Sequence, residues 1–145
     1  MKYTTEIEIN KPINRVLELF DNPENMKYWY PGFVSFEPLT EEIGKEGAKS
    51  KIIYKMGKRE IEMIQTITKS NLPGEIWGTY KTKGMWYEVK NYFIEIDSNR
   101  TKWKSKTELR CSGFMKLISI FVPGMFKKRG YKYLVDFKNF AENQN

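Results

Sequence analysis

Gln65, Asn91, Ser105 and Thr107 are polar residues on the inward parity of alternating, strand-like segments. Tyr54, Met56, Met63, Tyr80, Tyr87, Val89, Phe93 and Trp103 share that parity on the same segments. Aromatic and methionine walls broken by a few hydrogen-bonding groups suit a small apolar ligand, because the polar groups fix its orientation. Taken singly, each residue also suits an ordinary core. Taken together, the four polar groups are costly to bury without partners, so they imply water or a ligand inside. In the segment 75–82, Trp77 and Tyr80 compete for the interior, and Tyr80 is the candidate.

Other chemistry is excluded. The sequence has no histidine, which removes the usual general base, the histidine-activated nucleophiles and most transition-metal sites. A single cysteine, Cys111, leaves no internal disulfide and no cysteine-built zinc site. Glu60 and Glu62 lie on the outward parity of their segment and read as a solvated face rather than an acid–base pair. The run Gly44-Lys45-Glu46-Gly47-Ala48-Lys49-Ser50 is not a phosphate-binding loop. Ala48 separates glycine from lysine, and no strand–loop–helix context surrounds it. No catalytic residue, cofactor or metal is expected.

Charge is unevenly placed. Residues 1–99 carry a net −1 and residues 100–145 a net +8. Part of that excess is a stripe, Arg100, Lys102, Lys104, Lys106 and Arg110, on one parity of the segment 100–112, opposite Trp103, Ser105, Thr107, Leu109 and Cys111. The stripe suits either an anionic partner or a solvated outer face. No nucleic-acid motif of recognised spacing accompanies it, so no nucleic-acid partner is expected. Glu6 and Glu8 of the first strand are positioned to pair with it across strands.

The stretch from Phe114 to Phe126 is the most apolar of the chain. Its length is well short of the ~20 residues of a spanning helix, and Pro123-Gly124 interrupts it. It reads as a lid closing one end of a cavity, with Phe121 and Phe126 facing a ligand. Lys127, Lys128 and Arg129 follow at the start of the last helix, where positive charge opposes the dipole. That placement suits transient contact with an anionic membrane surface. The opening residues lack the apolar core of a secretory signal, so a cytoplasmic protein is expected. Nothing in the sequence fixes the oligomeric state.

The elements that must position these residues follow from spacing. Tyr3, Thr5, Ile7 and Ile9 form a half-buried strand. Asn10, as N-cap, and Pro12 open a helix with Val16, Leu17 and Phe20 on its apolar face. Pro23 to Trp29 is a second short helix. Six strands follow: 33–39, 49–56, 59–69, 75–82, 85–96 and 101–111. Short turns join them, which makes the sheet antiparallel. Phe126, Gly130, Tyr133, Leu134, Phe137, Phe140 and Ala141 recur at helical spacing. One α+β domain over residues 1–145 is expected, with Tyr133 on the helix facing the pocket.

This order, with "EIEINKPINRVLELFDNPENMKYW" at the start and "PGMFKKRGYKYLVDFKNFAE" at the end, resembles the START-like superfamily, also called SRPBCC. The resemblance spans nearly the whole chain but contains no catalytic motif. It implies a helix-grip fold with a hydrophobic cavity between a curved seven-stranded antiparallel sheet and a long C-terminal helix. Polyketide cyclase/dehydrase-like and lipid-transfer branches belong to that superfamily, so the fold does not name a reaction. The expected function is binding, transport or sensing of a hydrophobic small molecule or lipid. A cyclase/dehydratase acting on an aromatic polyketide-like substrate and a protein-interaction module are the alternatives.

Overall fold

Alternating segments form strands and three-to-four spacing forms helices in the computed structural model, which describes residues 1–145. β1 (Lys2–Ile9) leads into α1 (Ile13–Phe20), a 3₁₀ turn (Pro23–Asn25) and α2 (Met26–Trp29). Six strands follow: β2 (Phe33–Pro38), β3 (Lys49–Met56), β4 (Arg59–Asn71), β5 (Glu75–Thr82), β6 (Met85–Asp97) and β7 (Arg100–Cys111). Two helices close the chain, α3 (Phe114–Phe121) and α4 (Gly124–Glu142). β4 runs past Lys69 because a register shift between Ile67 and Lys69 breaks the simple alternation while the ladder with β5 continues.

The seven strands form one antiparallel sheet in the order β1-β7-β6-β5-β4-β3-β2. β1 therefore pairs with the distant β7. Glu6 stands opposite Lys104 and Glu8 opposite Lys102. The ions pair one step along the stripe, Lys102 with Glu6 at 3.9 Å and Arg100 with Glu8 at 3.7 Å. The helices cover the inner face, and α4 runs along it beside β1.

Two local details differ from the spacing argument. The N-cap of α1 is Pro12, not Asn10, and no side chain caps the helix. Asn10 instead donates its backbone N–H to Glu142 Oε2 at 2.7 Å, which ties the end of α4 to the end of β1. Gly130 sits mid-helix, where glycine is unfavourable by roughly 1 kcal/mol relative to alanine. Tyr3 explains it: a Cβ at position 130 would lie 3.1 Å from Tyr3 Cε2. The missing side chain lets β1 and α4 approach.

The interior has two parts. The larger is apolar, built from Ile9, Val16, Leu19, Phe93, Trp103, Leu134, Phe137 and Ala141 with their neighbours. Phe137 is fully buried, and its ring meets Phe20, Trp29 and Trp103 edge-on at 5.1–5.7 Å. The smaller part holds Met26, Ile52, Tyr54 and Met63, with Tyr30, Phe33, Tyr80 and Tyr87 packed around them.

Candidate functional site

Parity on the inner strands assembles a cluster of phenols at the second part of the interior. β3 supplies Tyr54, β5 supplies Tyr80 and β6 supplies Tyr87. α2 ends on Tyr30, β1 contributes Tyr3, and α4 lowers Tyr133 onto them. Tyr80 and Tyr87 face each other across β5 and β6 and stack at 4.9 Å with planes 10° apart. Tyr30 meets Tyr133 edge-on at 4.9 Å.

Hydrogen bonds tie the walls together. Gln65 Nε2 donates to the Tyr80 hydroxyl at 3.0 Å, and the Tyr87 hydroxyl donates to Met63 Sδ at 2.9 Å. Tyr3 stands opposite Thr107 across β1 and β7. Burial raises the pKa of Tyr3, Tyr54 and Tyr80, and raises those of Tyr30 and Tyr87 furthest. The Tyr133 hydroxyl lies near all five, so a charge on it would oppose ionisation of each. The cluster is therefore a set of neutral donors and acceptors at neutral pH. Tyr80, Tyr87 and Tyr133 nonetheless stay only half-buried under α4.

Arg129 adds the one charge. Its guanidinium lies over Tyr54 at 5.6 Å and over Tyr133 at 5.8 Å, near the ~6 Å reach of a cation–π contact. Its Nη2 is buried without a hydrogen-bond partner. No ion pair of the chain involves it. No Asp or Glu is buried anywhere in the chain.

The sequence-predicted residues divide accordingly. Tyr54, Met63, Gln65, Tyr80, Tyr87 and Tyr133 come together, and Thr107 lies opposite Tyr3 across β1 and β7. Val89 and Ser105 face the same side of the sheet. Asn91, Phe93 and Trp103 do not belong here. Asn91 Oδ1 accepts from Trp103 Nε1 at 2.9 Å, and Phe93 and Trp103 stack in the apolar core. Side chains satisfy Gln65 and Asn91, so neither requires interior water or a ligand; Ser105 and Thr107 are buried on the inner face. Met56 is on the right parity but lies past the cover of the helices and is 43% exposed.

Phe126 is buried under α4, whereas Phe121 is 79% exposed and lines nothing. α3 is apolar apart from Lys116 and Ser119, and turns only Met115, Ile118 and Ser119 toward the protein. Met115 rests on the β5–β6 turn at Gly84. Phe114, Leu117, Ile120 and Phe121 face outward, so α3 does not close the interior with its apolar side chains.

Tyr3, Tyr30 and Arg129 are additions. Tyr3 was marked by its alternation with Ile7 and Ile9. Arg129 was marked by helical spacing, three residues after Phe126 and four before Tyr133, which places it on the buried face. Grouping it with Lys127 and Lys128, both exposed, hid that signal.

The outer surface offers less. Two open grooves of about 440 Å³ each flank α4. One, between β1 and the start of α4, includes Glu6, Lys127, Lys128 and Tyr131; the other includes Tyr28, Tyr30, Asp136 and Phe140. Both are shallow, and only Tyr30 belongs to the cluster. The convergent polar groups, not the widest openings, mark the candidate site. On the outer face of the sheet the basic residues cover aromatics: Lys69 and Lys90 flank Trp77 at 4.6 and 4.3 Å, and Arg110 lies over Trp86 at 4.7 Å. No three His, Cys, Asp or Glu side chains come together to hold a metal ion. No helix is long and apolar enough to cross a membrane.

No protein-family model and no curated protein matches the sequence. Solved structures do match. A conserved protein from Geobacillus kaustophilus superposes with a TM-score of 0.83 over 97% of this chain and 95% of that one, at 15% identity. The ZhuI aromatase/cyclase from Streptomyces sp. superposes with a TM-score of 0.80 over 98% and 93%, at 11% identity. The chain has the helix-grip fold that these structures share. Norcoclaurine synthase from Thalictrum flavum, solved with dopamine and hydroxybenzaldehyde, shares this helix grip with a TM-score of 0.70 over 100% and 88%, at 13% identity. In the present helix grip, the phenol cluster lies between the sheet and the first half of α4.

Proposed function

We propose that the protein is a cytoplasmic carrier or sensor that binds a small hydrophobic molecule with an aromatic body. The molecule would lie among Tyr30, Tyr54, Tyr80, Tyr87 and Tyr133. The observation that carries this reading is the stacked pair Tyr80 and Tyr87, half-buried beside Tyr30 and Tyr54 on the inner face of the sheet. Flat apolar walls with a few fixed donors suit an aromatic ligand. Support from the neighbours is analogy of fold: one is named an aromatase/cyclase, another was solved with two aromatic molecules. Native mass spectrometry of freshly purified protein tests the reading. A co-purifying aromatic or apolar adduct is expected; a bare protein that also fails to bind N-phenyl-1-naphthylamine would overturn it.

In this reading ligand exchange passes α3 at an anionic membrane surface. Exposed Phe114, Leu117, Ile120 and Phe121 supply apolar contact, and Lys116, Lys127 and Lys128 supply positive charge. Sedimentation should show binding to phosphatidylserine-containing vesicles and none to phosphatidylcholine vesicles. Equal binding to both, or to neither, would remove α3 from the exchange route.

The second reading is a cyclase/dehydratase acting on an aromatic polyketide-like substrate. One observation favours it: the stacked Tyr80 and Tyr87 place two phenols side by side, and a phenol is protonated at neutral pH and able to donate to a substrate carbonyl. Turnover of such a substrate, lost in Tyr87→Phe while binding persists, would favour it over the carrier.

A further inference from the structure

We propose that Arg129 is an acid-recognising group, and that the molecule bound in the helix grip carries a carboxylate on its aromatic or apolar body. The proposal rests on reading the phenol cluster as the ligand site and specifies what that ligand must be. A buried guanidinium nitrogen without a partner is rare, because losing water without gaining an acceptor is costly. The Arg129 guanidinium lies over the faces of Tyr54 and Tyr133, at 5.6 and 5.8 Å. They attract the positive charge but leave the Nη2 protons without an oxygen acceptor.

The surroundings select an anion. The first acid along α4 is Asp136, and it is paired with Lys132 at 2.8 Å. The first turn of α4 has no acid, so the positive end of the helix adds to the same potential. The phenols remain neutral donors, because burial raises their pKa. A fork of N–H donors beside phenol hydroxyls fits the planar, two-oxygen geometry of a carboxylate. A single guanidinium also matches one negative charge. A phosphate dianion would retain an uncompensated charge, since Lys127 and Lys128 point to solvent.

The test compares two probes of equal shape, 2-naphthylacetate and the neutral 2-naphthylacetamide. Each competes with N-phenyl-1-naphthylamine, whose fluorescence reports the apolar site. The native protein should prefer the acid by roughly tenfold or more, as expected for a hydrogen bond to a charged group. Arg129→Gln should erase that preference, with N-phenyl-1-naphthylamine binding still measurable so that the ratio of the two competitors can be read. Arg129→Lys should keep part of it, since a point charge remains without the fork. Lys128→Gln removes the same charge from the exposed neighbour and should change nothing.

Binding of N-phenyl-1-naphthylamine with no preference for the acid would overturn the proposal and leave the ligand site standing. So would a preference that survives Arg129→Gln or falls equally in Lys128→Gln. Failure of all three probes to bind would instead overturn the ligand-site reading, and this proposal with it.

Discussion

The two halves of α4 cover different interiors. From Leu134 to Ala141 the helix lies on rings and aliphatic chains, where Trp103 and Asn91 satisfy each other's buried polar atoms. From Phe126 to Tyr133 it lies on phenols, and it brings in Arg129 with a nitrogen that nothing in the chain satisfies. Trp29 stands at the border, touching Phe137 on one side and Tyr30 on the other, and its own buried Nε1 also lacks a partner. One half behaves as a close-packed core, which gains from filling every gap. The other retains unused hydrogen-bonding capacity and uncovered ring surface. A fold built only for stability would have no reason to keep both.

Substitutions sharpen this contrast. Phe137→Ala removes a fully buried ring from the junction of three others, and chemical denaturation should show a loss of about 3–5 kcal/mol. Alkaline pH should act next, on the phenol half. The folded pKa of Tyr30, Tyr80 and Tyr87 lies above the ordinary value of about 10, so the folded state holds those protons more tightly. Their contribution is fully present below pH ~10 and is lost as pH rises through the raised values. Unfolding free energy should therefore fall above pH ~10, and less steeply in Tyr87→Phe. A flat profile would mean that the phenols are solvated.

Asn91→Leu should cost about 1–3 kcal/mol by leaving the Trp103 N–H unpaired in the apolar half. Phe121→Ser should cost no more than about 0.5 kcal/mol, because its ring is already in solvent. Replacing Lys102, Lys104 and Lys106 together with glutamine should leave probe binding unchanged, since they project from the far face of the sheet.

The apolar half and the strand order were the more legible parts of the sequence. Leu134, Phe137 and Ala141 at helical spacing, and the clean parity of β7, each dictate one buried face. Trp77 and Tyr80 were ambiguous because both are large aromatics. The structure puts Tyr80 inside and covers Trp77 with two lysines. α3 misled for the opposite reason. Apolar residues on every side give a short helix no face to prefer, so composition alone suggested a lid. Arg129 was hidden by its charged neighbours, although its spacing from Phe126 and Tyr133 was already that of the buried face. Asn91 and Gln65 were recognised as inward, but which partner would meet each depends on neighbouring strands and not on local pattern.

A crystal structure with bound N-phenyl-1-naphthylamine tests the division between the two halves most directly. The account predicts density for the probe under the first half of α4, against Tyr80 and Tyr87, with the core around Phe137 unmoved. Density inserted beside Phe137 and Trp103, or confined to the outer grooves or the exposed face of α3, would contradict it.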